Sequence, residues 1–167
     1  NGFKISLSDD FLEDYIFSVG YGEDIDNVKG HNRTSKIFYN GYIDCNDKEV
    51  YVFKYYFSWD FKCRDLRIER CGLGFIGYYE SAKDLPTRGA ECVLNNITII
   101  ASSLVDTPNI GFDIYFGDAH LTDLFPHCFT YGIRNRGGGN KFVNCHPWGL
   151  PVTFPVNTRM AIGFIDE

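Results

Sequence analysis

The sequence predicts an all-β protein, a disulfide-stapled antiparallel β-sandwich with one short N-terminal helix. Roughly ten short runs alternate apolar and polar residues, the pattern of strands with one buried face. The 167 residues include 15 Phe, 11 Tyr and 2 Trp, residue types that are enriched in strands. The six cysteines are even in number and form no C-x-x-C pair, which indicates a disulfide framework rather than a metal or redox site.

The N-terminal segment predicts a strand followed by a helix. Apolar and polar residues alternate from Phe3 to Leu7, as in a half-buried strand. Ser8 is a suitable helix cap, and the apolar residues between Phe11 and Val19 recur at helical spacing before Gly20. We therefore expect one short helix here.

From residue 36 onward the pattern predicts strands and turns. Residues 36–45 and 48–59 flank the turn signal Asn46–Asp47, which predicts a hairpin. In its second strand, alternate residues are aromatic and share one face, which we interpret as the inner face of the sheet: Tyr51, Phe53, Tyr55, Phe57 and Trp59. Further strands are predicted near residues 64–70, 73–80, 92–101, 110–116, 127–134, 140–145, 150–156 and 158–165. No internal repeat or linker is evident, so we expect a single extracellular β-sandwich domain over residues 1–167.

Charge and sequence signals favour a secreted protein that binds neither nucleic acid nor membranes. The net charge of −6 lacks the basic excess that phosphate backbones and anionic lipids require. No apolar run approaches the roughly 18 residues that span a bilayer, so membrane insertion is not expected. The missing initiator Met and the sequons at Asn32 and Asn96 predict a processed, glycosylated, extracellular chain.

The dipeptides His127–Cys128 and Cys145–His146 lie on either side of a glycine-rich turn. If residues 127–133 and 140–146 form an antiparallel hairpin, Cys128 lies opposite Cys145, and His127 opposite His146. The proposed disulfide is therefore Cys128–Cys145. The remaining cysteines, Cys45, Cys63, Cys71 and Cys92, are expected in disulfides whose connectivity stays open.

The same hairpin has two interpretations for its histidines. His127 and His146, completed by His120 or Asp118, have the imidazole and carboxylate chemistry of a zinc or copper site. The alternative is a disulfide-stapled hairpin with two surface histidines, because no tightly spaced metal motif is present. We predict no organic cofactor, and the chain lacks the G-x-S-x-G motif of a nucleophilic hydrolase, so catalysis is not favoured.

The candidate ligand-binding residues are Arg134, Arg136, Lys141 and Trp148. The cations surround Gly137–Gly139, whose backbone N–H groups suit an anion, and Trp148 lies between turn-forming residues where an indole stays exposed. The predicted function is a secreted recognition module that binds a protein or glycan through loops and a sheet face. The alternatives are a metal-binding protein or metalloenzyme, and a structural coat or matrix component.

One stretch resembles the nematode transthyretin-like secreted proteins. The segment NGYIDCNDKEV at residues 40–50, with Asp65–Leu66 after it, is similar to the first block of that family. PNIGFDIY at residues 108–115 and CFTY at residues 128–131 are similar to later blocks in order and character. The resemblance implies a small extracellular β-sandwich that binds other molecules, and it supplies no site residues.

Overall fold

The computed structural model describes residues 2–19, 36–55, 60–78, 91–104, 109–149 and 162–167. In this part of the chain all regular structure is strand. The strands are β1 Phe3–Ser6, β2 Tyr15–Val19, β3 Lys36–Asp44, β4 Tyr51–Tyr55, β5 Phe61–Cys71, β6 Gly74–Tyr78, β7 Val93–Ala101, β8 Ile110–Ile114, β9 His120–His127, β10 Tyr131–Asn135, β11 Lys141–Val143 and β12 Ile162–Asp166. The prediction of an all-β chain is confirmed.

Every described strand pairing is parallel. The odd-numbered strands form one six-stranded sheet in the order β1-β3-β5-β7-β9-β11. The even-numbered strands form two three-stranded sheets, β2-β4-β6 and β8-β10-β12. These two meet where β8 lies beside β6, and the Ile110 N–H donates to Leu73 O over 3.2 Å.

The chain therefore winds as a coil. Each turn of the coil gives one strand to the six-stranded sheet and the next strand to the opposite side, and the twelve described strands form six turns that stack in sequence order. Such stacking of one supersecondary unit on the next defines a solenoid, here a parallel β-helix. Its outer surface consists of columns of residues, one residue per coil, spaced by the strand separation of about 4.8 Å.

The core fills the space inside the coil with columns of aligned apolar side chains. One column in the six-stranded sheet contains Phe38, Cys63, Leu94, Leu121 and Phe142. On the opposite side Phe17 stacks on Phe53 with ring centroids 5.3 Å apart. Each fully buried side chain of this kind contributes about 1.5 to 3 kcal/mol, so the columns supply most of the stabilisation.

A bend divides the strands of the six-stranded sheet, and the same polar residue types occupy it in every coil from the second onward. These residues have positive φ between 51° and 55° and alternate along the column: Asn40, Asp65, Asn96, Asp123 and Asn144. Asn and Asp tolerate the left-handed region better than other non-glycine residues. Asn96 Nδ2 donates to Asp65 Oδ1 over 2.8 Å, and Asn144 Nδ2 to Asp123 Oδ1 over 2.5 Å. We refer to this column as the Asn/Asp ladder.

At Gly74 two neighbouring coils approach each other so closely that only glycine fits. Gly74 has a φ of 153°, and a Cβ at this position would lie 2.0 Å from Ile110 O. No side chain fits there, because the obstructing atom belongs to the backbone of β8.

The antiparallel β-sandwich is wrong, and so is the β-sandwich that the transthyretin-like resemblance implies. Alternation of apolar and polar residues identifies a strand with one buried face, but the same alternation occurs in parallel and antiparallel sheets. The parallel pairing follows from the coiled path, which brings Lys62 beside Val93 and Val93 beside His120.

The N-terminal helix is also wrong. Residues 15–19 form β2, in which Phe17 pairs with Phe53, and Leu12 is 93% exposed instead of buried. A helix this short is marginal alone, whereas the sheet gives the β-favouring sequence YIFSV both hydrogen bonds and a buried face. The described residues thus contain no helix capable of crossing a membrane.

Both predicted hairpins are wrong. β3 and β4, on either side of Asn46–Asp47, belong to different sheets, as do β10 and β11. Of the predicted aromatic stripe, Phe53 and Tyr55 are fully buried and Tyr51 is half-buried, whereas Phe57 and Trp59 lie outside the described residues. The predicted strand at 150–156 and the sequon residue Asn32 also lie outside them.

The disulfide framework is wrong, because none of the six cysteines, all of which lie in the described ranges, forms a disulfide. The Cys128–Cys145 pair required an antiparallel hairpin. In the coil, the Cys128 N–H donates to Trp148 O over 2.7 Å, whereas the Cys145 thiol donates to Leu121 O over 3.4 Å. The two side chains therefore lie in different surroundings.

The other cysteines occupy interior positions: Cys45, Cys63, Cys71 and Cys92. They fill space there as small apolar side chains. Burial raises the pKa of Cys63 and raises that of Cys92 to about 11. A hydrogen bond with the Cys71 thiol, together with burial, raises the pKa of Cys45. The thiols of Cys45, Cys63 and Cys92 therefore stay protonated at neutral pH, which disfavours their oxidation since the thiolate is the reactive form.

Candidate binding face

The outer surface of the six-stranded sheet, on the C-terminal side of the Asn/Asp ladder, carries two parallel columns of side chains. The first contains Tyr42, Arg67, Thr98 and Phe125. The second contains Asp44 and Glu69 and, beyond an irregularity in the register between Ile68 and Cys71, continues with Ile100, His127 and Trp148. Their neighbours along each strand, such as Ile68, Ile99 and Leu124, point inward and are buried. Strand alternation thus places both columns on one side of the sheet, which we call the binding face.

The last coil extends this face beyond β11. The His146 N–H donates to Leu124 O over 2.9 Å, and the Trp148 N–H donates to Pro126 O over 2.8 Å. This ladder pattern sets Trp148 opposite His127 and His146 opposite Phe125. The His127 and Trp148 rings meet edge to face with centroids 5.2 Å apart, and Trp148 is 46% exposed. The C-terminal end of the binding face is therefore a cluster of rings, and we call Phe125, His127, His146 and Trp148 the aromatic cluster.

A charged network occupies the other end of the face. Glu69 accepts hydrogen bonds from the Tyr42 hydroxyl at 2.8 Å and from Arg67 Nε at 2.7 Å. These two bonds lower the pKa of the Glu69 carboxyl, so it is ionised at neutral pH. In the same column as Glu69, Asp44 is bound by Arg70 through both carboxylate oxygens, at 2.8 and 2.6 Å. The polar side chains are thus held in place before any ligand arrives.

The environment of His127 is positive. Partial burial is the main cause that lowers its pKa, and the charges of Arg67 and His146 lower it further. His127 is therefore mainly neutral at pH 7.

Two predicted binding residues, Arg134 and Arg136, lie on the opposite side of the coil. Both bind the carboxylate of Asp113, Arg134 at 3.0 and 2.7 Å and Arg136 at 3.2 and 2.5 Å. The Arg136 guanidinium also lies 3.7 Å from the centroid of the Tyr115 ring. Asp113 is only 8% exposed, so this trio stabilises contact between β8 and β10.

The other predicted residues are also separated. Lys141 pairs with His120 at the start of β11, on the far side of the ladder from Trp148. Gly137–Gly139 form a turn held by Asn140, whose side chain donates to Phe116 O and to Asn135 Oδ1. The structure thus places the four predicted residues on three different surfaces, and of them only Trp148 lies on the binding face.

The predicted histidine site is split in the same way. His127 and His146 lie on the binding face, but His120 lies at the opposite end of β9. Within the described ranges, no group of three or more His, Cys, Asp and Glu side chains surrounds a common point.

Sequence reasoning did not find Tyr42, Arg67, Glu69 and Phe125. A signal for them is present as a repeat of irregular interval. Five segments begin with Asn or Asp in the ladder and continue with inward and outward residues in turn: NGYID at 40, DLRIE at 65, NITII at 96, DLFPH at 123 and NCHPW at 144. The third and fifth residues of these segments form the two columns of the face.

Comparisons with protein-family models, with curated proteins and with solved structures find no match to this chain. Its class therefore rests on its own geometry, which is a parallel β-helix with a partly aromatic, partly charged outer face.

Proposed function

We propose that the protein is a recognition module that binds an extended glycan along the binding face. The observation that carries this proposal is the aromatic cluster at one end of a face whose residues repeat once per coil. A solenoid offers an extended surface of this kind, which suits a polymeric ligand better than a compact one.

The chemistry of the face fits sugars. Exposed indole and phenyl rings pack against the apolar faces of sugar rings, and the indole N–H provides a polar contact. Trp148 is nearly half exposed and its position is fixed by the backbone ladder and by His127. Hydroxyl groups of a glycan require donors and acceptors with defined directions, which Arg67, Glu69 and Tyr42 supply.

The same features favour a glycan over a protein partner. Protein interfaces have cores depleted of charged residues. One end of this face instead carries Asp44, Arg67 and Glu69, and Trp148 is the one large apolar side chain among the described residues of the face that is strongly exposed. Burying such charges against a protein surface is costly unless each finds a partner.

A binding assay on a panel of polysaccharides tests the proposal. The panel contains dextran, xylan, chitin, alginate and hyaluronan, and retardation in affinity electrophoresis reports binding. We expect at least one polymer to retard the wild-type protein. Trp148→Ala should weaken that binding about tenfold, the ~1.4 kcal/mol expected of one stacked ring.

Val143→Ala is the matched control. Val143 is 56% exposed and belongs to the same last coil, but it lies on the other side of Asn144. Its replacement should leave retardation unchanged, and both variants should retain the wild-type urea midpoint. Retardation by none of the polymers, or equal retardation of the two variants, would refute the glycan proposal.

We further propose that the protein acts outside the cell. Because the six cysteines form no disulfide, the two sequons are the remaining support for an extracellular location. Asn96 is exposed on the Asn/Asp ladder, and its Nδ2 uses one hydrogen for Asp65, which leaves the other position for a sugar. Expression through a eukaryotic secretory pathway should give exported protein whose mass falls on treatment with an amidase specific for N-linked glycans. In the Asn96→Gln variant, the fall in mass should be smaller by the glycan attached to Asn96. Retention of the chain inside the cell would contradict the proposal.

A further inference from the structure

Three coils separate the aromatic end of the binding face from its charged end. Arg67 lies in β5 and Phe125 two coils further along in β9, and the last coil adds Trp148. Neighbouring coils are about 4.8 Å apart, so Trp148 and Arg67 are separated by about 14 Å along the axis of the coil. A ligand that contacts both therefore extends over about four coils.

The face is long only in this direction. Along each strand it presents two outward residues, such as Thr98 and Ile100 in β7, which are about 7 Å apart. The Asn/Asp ladder bounds the face on one side, where the sheet bends. An extended ligand therefore lies across the strands and meets one pair of outward residues in each coil.

The relief of the face also suits a ligand that lies flat along it. Trp148 is 46% exposed and the Arg67 side chain 57% exposed, whereas Thr98, Ile100 and Phe125 between them are half-buried. The two ends therefore stand out from the sheet, and a straight chain passes over the lower side chains between them.

The charges at the polar end of the face are neutralised within the protein. Arg67 Nε and Nη2 both contact Glu69 Oε1, at 2.7 and 2.6 Å, and Arg70 binds Asp44. These four groups therefore need no ion from a ligand, and the net charge of −6 repels acidic polymers at long range. A guanidinium has five N–H donors, so within the described structure Arg67 keeps hydrogens on Nη1 for a neutral acceptor such as a hydroxyl oxygen.

We propose that the ligand is an uncharged polysaccharide whose sugar rings are joined by equatorial 1,4 linkages, bound with one sugar unit per coil. This inference rests on the proposed glycan-binding function and names its substrate class. Equatorial 1,4 linkages keep a chain of pyranose rings straight, and each ring lengthens the chain by about the 4.8 Å that separates two coils. One ring packs on the indole of Trp148, and a hydroxyl group three units further along accepts a hydrogen bond from Arg67. Chains with axial or 1,6 linkages curve or flex away from straight columns of side chains.

The polysaccharide panel tests the linkage and the charge of the ligand. Xylan and chitin are neutral and β-1,4-linked, dextran is neutral and α-1,6-linked, and alginate and hyaluronan are acidic. We expect xylan or chitin to retard the protein and the other three polymers to leave its mobility unchanged. Retardation by dextran, or by an acidic polymer alone, would overturn the inference, and if it depends on Trp148 the glycan-binding function still stands. Retardation by none of the five would refute both.

The length of the bound chain gives a second readout. Oligosaccharides of two to six units, from xylan or chitin, are titrated and followed by NMR through the Trp148 indole N–H. Affinity should rise up to about four units, the length that reaches Arg67. Arg67→Ala should weaken binding of the tetrasaccharide about fivefold, as expected for one lost hydrogen bond, and leave binding of the disaccharide unchanged.

Arg64→Ala is the matched control. Arg64 is in the same strand and is exposed, but it lies on the other side of Asp65. This variant should bind the disaccharide and the tetrasaccharide as the wild type does. A wild-type protein that binds the tetrasaccharide no more tightly than the disaccharide, or an Arg67→Ala variant that changes neither affinity or both equally, would overturn the inference.

Discussion

Replacing Asn96 with Asp tests whether the Asn/Asp ladder stabilises the coil. Asn96 donates to Asp65 Oδ1 over 2.8 Å and lies opposite Asp123 in the next coil. The substitution Asn96→Asp keeps the shape of the side chain and tolerates the φ of 52°. It removes the donor and creates three consecutive carboxylates in one column.

The expected loss of stability is about 3 kcal/mol at neutral pH and low salt. A hydrogen bond to a charged acceptor contributes about 1.5 kcal/mol at the lower end of its range, which suits an exposed site. Two unit charges about 4.8 Å apart repel by about 0.9 kcal/mol at the dielectric constant of water, and the new carboxylate has two such neighbours. Physiological salt reduces the repulsive part by about half.

The pH dependence gives the sign of the effect. Like charges raise the folded-state pKa values of the three carboxyls in the variant above their unfolded values. The contribution of these three carboxyls to the stability of the variant is therefore most favourable at low pH, where the groups are protonated. It is lost as the pH rises through their folded-state pKa values. Urea unfolding at pH 7 and at pH 4 should show a difference from wild type that shrinks to below about 1.5 kcal/mol in acid.

Asn95→Asp is the matched control, since Asn95 is the preceding residue and its partners in the adjacent coils are Arg64 and Thr122. We expect its stability to change by less than about 0.5 kcal/mol. A wild-type urea midpoint for Asn96→Asp, or a loss equal to that of Asn95→Asp, would show that the ladder does not stabilise the fold.

Three further predictions follow from the buried groups. Asp113→Asn should cost about 3 kcal/mol in urea unfolding, because it leaves Arg134 and Arg136 half-buried without their anion; a loss below 1 kcal/mol would contradict this. All six cysteines should react with a thiol reagent in denaturant without prior reduction, whereas in the native state Cys145, half-buried, should react before the five buried thiols; fewer than six reactive thiols would indicate a disulfide. His127 should titrate below pH 6.5 by NMR, and Arg67→Gln should raise that value because one opposing charge is removed; an unchanged midpoint would show that Arg67 does not act on it.

The turn at Asn46–Asp47 shows why local signals could not predict the topology. Both residues have positive φ, 51° and 57°, as the two central residues of a tight hairpin turn do. The prediction of a sharp turn was therefore physically reasonable, but the chain leaves it toward the opposite sheet, where β4 pairs with β2 and β6. Which strands pair with β4 depends on the path of the whole coil, because this path brings the edges of β2 and β6 beside it.

The binding face was predictable only in part. Trp148 was identified because turn-forming residues surround it, and His127 and His146 because each adjoins a cysteine. Arg67 and Phe125 give no local signal, since each is one outward residue in an ordinary strand. They join the face through parallel register across β5, β7 and β9, which connects positions far apart in the chain.

The sequence by itself determined that the chain is β-structured, where most of its strands lie and which side chains alternate inward, because these depend on neighbouring residues and on the two-residue period of a strand. The tertiary structure decided that the strands are parallel, that the cysteines remain thiols, and that Trp148 shares a surface with Arg67 instead of Arg134. These outcomes depend on hydrogen bonds between coils that are 21 to 38 residues apart at their paired positions, from Lys141 with His120 to Phe3 with Gly41. Intervals that vary so widely leave no fixed period in the sequence, so the register exists only once the coils have stacked.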